Sequence, residues 1–236
     1  MMQISEMPRE VLRAQLRGGY LVMVCLLAAA YLSTPAGGST VGAISVAFLL
    51  YSAIAVGVVA SIHRTLVRVP ALAAVVLGFA FTVAAVVADV AALDAAARFS
   101  LFALLIFTLV AVMARILRVE RVTQNTVFGA IGVYLFLGMA WAVAYTLMDQ
   151  ASATAFSPSG AFTESLSAAA YFSLVTQSTL GYGDITPAAG FPRMAAAVQA
   201  VVGQVFLVIT VARMVGLQLA YSGRGTGRPA EDQEDI

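Results

Sequence analysis

Apolar residues in this chain gather into long unbroken runs, at residues 19–33, 41–62, 70–92, 99–114, 127–148 and 195–217. A helix that crosses a bilayer needs about twenty such residues, so the pattern predicts six spanning helices. The first and fourth runs are short, and reach that length only by drawing in Leu16 or the alanines at 95–97. The stretch between the last two runs is neither long nor apolar enough to cross, and so it must re-enter. Within it, residues 149–162 are small and polar around Ser157-Pro158-Ser159-Gly160 and predict an exposed turret loop. Thr163-Glu164-Ser165 is a helix-start signal, and 166–176 predicts a short helix behind it. The C-terminal end of such a half-helix carries partial negative charge, which stabilises a cation held in mid-membrane.

Composition agrees with the pattern. The chain is 61% hydrophobic and 11% charged, against about 25% charged in soluble domains, which makes it a polytopic membrane protein and excludes a soluble enzyme or a nucleic-acid binder. All 13 basic residues are arginine, which together with the abundant alanine suggests a prokaryotic source. With the N-terminus inside, Arg9, Arg13, Arg17, Arg64, Arg68, Arg115, Arg118, Arg121, Arg213, Arg224 and Arg228 fall on the cytoplasmic side, leaving only Arg98 and Arg193 outside. Asp89, Asp94, Asp149, Glu164 and Asp184 then gather near the outer face, where an acidic mouth would concentrate cations, although Asp94 is also placed to pair with Arg98. Residues 1–18 read as an amphipathic cytoplasmic helix, with a cleaved leader as the rival. The single cysteine, Cys25, excludes a disulfide framework. The single histidine, His63, is an interfacial residue or a pH sensor.

One short stretch carries the chemistry: Thr179-Leu180-Gly181-Tyr182-Gly183-Asp184. Stripping water from a cation takes closely stacked oxygens, which an extended backbone supplies only if successive carbonyls face one axis. That requires unusual dihedrals. Gly181 and Gly183 alternate with residues that bear side chains, and glycine enters the left-handed region without a Cβ penalty. The bland alternative is a glycine turn between two apolar helices.

The stretch resembles the Thr-Val-Gly-Tyr-Gly-Asp signature of the potassium channel family, with Leu180 in place of the usual valine. The resemblance implies an all-α membrane protein: six transmembrane helices, a re-entrant pore helix, a selectivity filter and a tetrameric channel. Residues 1–18 would be a cytoplasmic segment, 19–121 a peripheral four-helix domain, 122–217 the pore domain and 218–236 a cytoplasmic tail. The ion ligands would be the backbone oxygens of Thr179, Leu180, Gly181 and Tyr182 and the Thr179 hydroxyl, with Gly183 completing the filter. The family's aromatic pair falls on Tyr171 and Phe172, expected as a cuff around the filter. Some relatives carry a glutamate that pairs with the filter aspartate, and this chain has Val175 there. Asp184 is therefore expected to take a hydrogen bond from the Tyr171 hydroxyl, at about 2.5–3.0 Å for an O–H donor. Gly203 matches the family's hinge glycine, with close packing as the alternative role. From that register, Gln204, Val208, Val211, Ala212 and Val215 share one helical face and would line the inner cavity.

The implied partners are potassium as permeant ion, further copies in a homotetramer, and the lipid bilayer of a cell membrane, with both termini cytoplasmic. No cofactor and no nucleic acid are expected. The rivals are a voltage-gated potassium channel and, further off, a secondary transporter or membrane scaffold. Arg115, Arg118 and Arg121 recur every third residue as voltage-sensing arginines do. Yet they follow the apolar run instead of lying within it, which favours anchoring at the inner interface.

Overall fold

The computed structural model describes residues 19–62, 64–88, 90–119, 122–152, 154–162 and 166–225. The expected amphipathic helix at 1–18, His63, Asp89, Arg121, the start signal Thr163-Glu164-Ser165 and the acidic end of the tail lie outside the described residues. In chain order the helices are α1 (Gly19–Ser33), α2 (Thr40–Ser61), α3 (Thr65–Ala88), α4 (Ala91–Ile116), α5 (Gln124–Ala151), the short α6 (Leu166–Gln177) and α7 (Gly190–Gly225). A two-residue strand β1 (Phe156–Ser157) pairs antiparallel with β2 (Thr186–Pro187).

The expected six spans are met in part. Five of the described helices are long and apolar enough to cross a membrane, whereas α1 spans 15 residues. At 1.5 Å per residue that is about 22 Å, short of the hydrocarbon core. The fourth run reaches full length because α4 begins at Ala91 and takes in the alanines ahead of Phe99. Helix starts follow local chemistry. Ser39 caps α2 by accepting the Gly42 N–H at 3.1 Å. Thr123 and Thr126 exchange side-chain and backbone bonds as a capping box at the head of α5, satisfying donors that lipid would leave bare.

α2 packs on α1 and α4, and both of these pack on α5, around Met23, Leu27, Leu50, Ile54, Leu105, Phe136 and Met139, all buried. Neutral polar pairs stitch this bundle: Tyr20 to Ser61 at 3.1 Å, Tyr51 to Thr82 at 2.9 Å, and the Tyr31 hydroxyl donating to the Leu135 carbonyl at 3.0 Å. In α4 charge lies toward the two ends. At one, Arg98 pairs with Asp94 at 2.8 Å and Gln150 of α5 donates to the same carboxylate at 2.9 Å. At the other, Arg115 sits in the last turn, and Arg118 follows beyond the helix. There Arg213 of α7 donates to the carbonyls of Leu117 and Val119 at 2.6 and 3.3 Å. The peripheral bundle is thus fastened to the last helix at its arginine-rich end.

Candidate pore and filter

α6 is held between α5 and α7, with Ala169, Ala170, Phe172, Ser173 and Gln177 buried. Phe172 enters an aromatic cluster with Tyr145, Phe156 and Phe162, at ring separations of 5.0, 5.6 and 5.7 Å. The expected exposed turret holds at Ser157, Pro158 and Ser159 and is corrected at Phe156 and Phe162, which are buried. Residues 154–162 fold down onto α6 because Phe156 and Phe162 gain burial there, and the Ala155 carbonyl accepts the Ala188 N–H at 2.9 Å. Asp149 is corrected too: it is buried and accepts the Phe162 N–H at 3.0 Å, so it does not face an acidic mouth. The Tyr171–Phe172 cuff divides. Phe172 turns inward to the cluster, and only Tyr171 faces the strand at 179–184.

That strand leaves the end of α6 through a left-handed turn. Thr179, Gly181 and Gly183 have φ of +61°, +60° and +82°, with Thr179 alone among described non-glycine residues in having positive φ. Left-handed and ordinary conformations therefore alternate from Thr179 to Gly183. The sequence marked the two glycines but not Thr179, which repeats their spacing. The Thr179 N–H bonds to the Thr176 carbonyl at 3.0 Å and the Leu180 N–H to the Val175 carbonyl at 2.9 Å, seating the ribbon on the helix end. Farther on, the Tyr171 hydroxyl donates to Asp184 Oδ2 at 2.8 Å, and its ring stacks on Tyr182 at 6.2 Å. The expected donor for Asp184 is thus in place. Leu180 and Tyr182 remain exposed at 56% and 66%, an apolar ribbon that this one chain does not cover.

Behind α6 lies a polar cluster that the sequence reading missed. The Tyr145 hydroxyl donates to Gln199 Oε1 at 2.6 Å. Gln199 Nε2 in turn donates to Ser173 Oγ at 2.7 Å and Gln177 Oε1 at 3.3 Å. The signal was available as a glutamine inside the last apolar run, where an uncharged amide still needs partners. Gly203 sits close by. A Cβ there would lie 2.8 Å from the Gln177 carbonyl oxygen, so Gly203 lets α7, which runs unbroken through it, approach the end of α6 closely. Gln204 is half-buried and donates to the Gln177 carbonyl at 3.3 Å. Val208, Val211, Ala212 and Val215 lie exposed farther along α7.

Residues 133–217, from mid-α5 to the far part of α7, match the family model described as Ion channel. The match supports an ion channel. It covers α6, the left-handed ribbon and the buried glutamines, and leaves α1 to α4 outside the channel segment. No curated protein and no solved structure matches the chain.

Proposed function

We propose that the protein is a potassium-selective channel, formed by four copies in a cell membrane with both chain ends cytoplasmic. The observation that carries this reading is the alternation of left-handed backbone at Thr179, Gly181 and Gly183. Such alternation turns successive carbonyls toward one side, as replacement of an ion's hydration shell requires. The oxygens of Thr179, Leu180, Gly181 and Tyr182 and the Thr179 hydroxyl are the proposed ligands. Exposed Leu180 and Tyr182, together with exposed Val201 and Val205 on α7, supply apolar surface for neighbouring copies. Transport is passive, by multi-ion knock-on. The test is the reversal potential of the full chain in planar bilayers under opposed potassium and sodium gradients. It should follow potassium, and equal permeability to sodium overturns the assignment.

Tyr171→Phe removes one hydroxyl and keeps the stacked ring, so it is expected to shorten the conducting state several-fold while the reversal potential stays with potassium. Single-channel records check it, and dwell times equal to those of the parent protein would show that Asp184 needs no donor.

Opening is expected to depend weakly on voltage. Between Arg98 and Arg115 α4 carries no charge. Each elementary charge crossing the field is worth about 2.3 kcal/mol per 100 mV, so steep gating needs several per subunit. Conductance measured against voltage should be nearly flat and unchanged by Arg115→Gln or Arg118→Gln. A steep curve that flattens in those variants would establish the voltage-gated alternative.

A further inference from the structure

We propose that Gln199 is a positioning residue for ion conduction, a membrane-buried amide that fixes the end of α6 from which the filter strand springs. The electrical part of this proposal rests on the potassium-channel reading. Tyr145, Ser173, Gln177 and Gln199 all have 0% exposure. Their bonds run in one consistent sense. The Tyr145 hydroxyl of α5 donates to Gln199 Oε1 at 2.6 Å. One hydrogen of Gln199 Nε2 is directed to Ser173, at 2.7 Å from Oγ and 3.0 Å from the carbonyl oxygen, and the other to Gln177 Oε1 at 3.3 Å. Ser173 Oγ passes its own hydrogen to the Gly138 carbonyl at 2.6 Å, and Gln177 Nε2 donates to the Tyr134 carbonyl at 2.8 Å. Both arms thus return to α5.

Gln199 is the only member that serves both arms. Ser173 and Gln177 lie one helical turn apart on α6, and a single side chain from α7 holds both. At this depth no water replaces a lost partner. Gln177 stands two positions before Thr179, and the Thr179 N–H is itself bonded within the last turn at the Thr176 carbonyl. A shift of the α6 end therefore passes directly to the first left-handed residue of the ribbon. Gln204 adds a second hold on the Gln177 carbonyl, at 3.3 Å, so α7 grips the foot of the filter on both sides of Gly203. Displacing α7 would move that foot.

The test compares the parent chain with Gln199→Leu, which keeps volume and removes every bond, and Gln199→Met, which keeps an unbranched chain of similar length and removes the amide's donors and acceptor. Hydrogen exchange in lipid nanodiscs is read by mass spectrometry. In both variants the amides of Ser178, Thr179 and Leu180 should exchange about tenfold faster, the loss of roughly one hydrogen bond, while those of α2 and α4 stay within about twofold. In bilayers, sustained potassium current should decay about tenfold faster at an unchanged reversal potential. Uniform acceleration through all helices, or parent-like exchange and decay in both variants, would overturn the proposal by leaving Gln199 a purely structural residue or none. If neither variant assembles, Tyr145→Phe and Ser173→Ala each remove fewer bonds and carry the same two readouts, with smaller shifts of the same pattern expected. A parent protein that passes no potassium sinks the channel reading, and the exchange pattern still decides the role of Gln199.

Discussion

Alanine at Gly181 or Gly183 is expected to abolish selective conduction while leaving the chain folded and inserted. The reason is dihedral and not steric. A Cβ at either position would meet nothing within 4 Å, but both glycines have positive φ, +60° and +82°. A side-chain-bearing residue held there costs about 1–2 kcal/mol. In the proposed assembly of four copies that cost multiplies to roughly 4–8 kcal/mol, falling on a ribbon whose Leu180 and Tyr182 side chains are exposed. Thr179 already holds a left-handed conformation with a side chain, so the ribbon carries one such penalty before any substitution. The buried contacts of α5, α6 and α7 are untouched. Thermal unfolding in detergent should therefore shift by no more than a few degrees for about 1 kcal/mol in a chain of this size. Reversal potentials under mixed potassium and sodium check the functional half. Selectivity equal to that of the parent in both variants would mean that the ligand oxygens lie elsewhere.

Valine at Gly203 should produce the largest loss of stability. A Cβ there would stand 2.8 Å from both the Gln177 carbonyl oxygen and Gln177 Cγ. The oxygen belongs to backbone and cannot swing aside, so α7 must move away from the end of α6. Overpacking of this sort costs typically 1–3 kcal/mol, and the move also strains the Gln204 bond to the same carbonyl, 3.3 Å long. Gly203→Val is expected to lower the unfolding temperature by several degrees and to leave no sustained current, with Gly203→Ala intermediate in both. A pure hinge role makes the opposite forecast: parent-like stability in Gly203→Ala and a change in opening alone. Unfolding temperature and open probability measured on the same two variants separate the roles.

These two forecasts come from different kinds of information. Long apolar runs place the spanning helices, because a bilayer leaves a backbone segment no partner but itself. That placement needs no knowledge of neighbours. Local offsets were equally legible: Asp94 and Arg98 as a pair four residues apart, and the Tyr171 hydroxyl as the donor that Asp184 lacks. The two glycines of the ribbon could be marked because glycine alone takes positive φ freely.

What only the tertiary structure decided joins residues far apart in the chain, through packing that no local pattern encodes. Tyr145 meets Gln199 across 54 positions, and Arg213 meets Leu117 across 96. The loop at 149–162 reads as an exposed polar turn, and Ser157 to Ser159 are exposed, but only the fold shows two phenylalanines beside them finding an apolar face on α6. Gly203 offers the same residue to a hinge or to a close contact, and the choice depends on the Gln177 carbonyl standing against it. Thr179 belongs here as well. A β-branched residue has no intrinsic reason to enter the left-handed region, and it is held there because the helix before it ends where Gln199, Gln204 and the Thr176 carbonyl fix it.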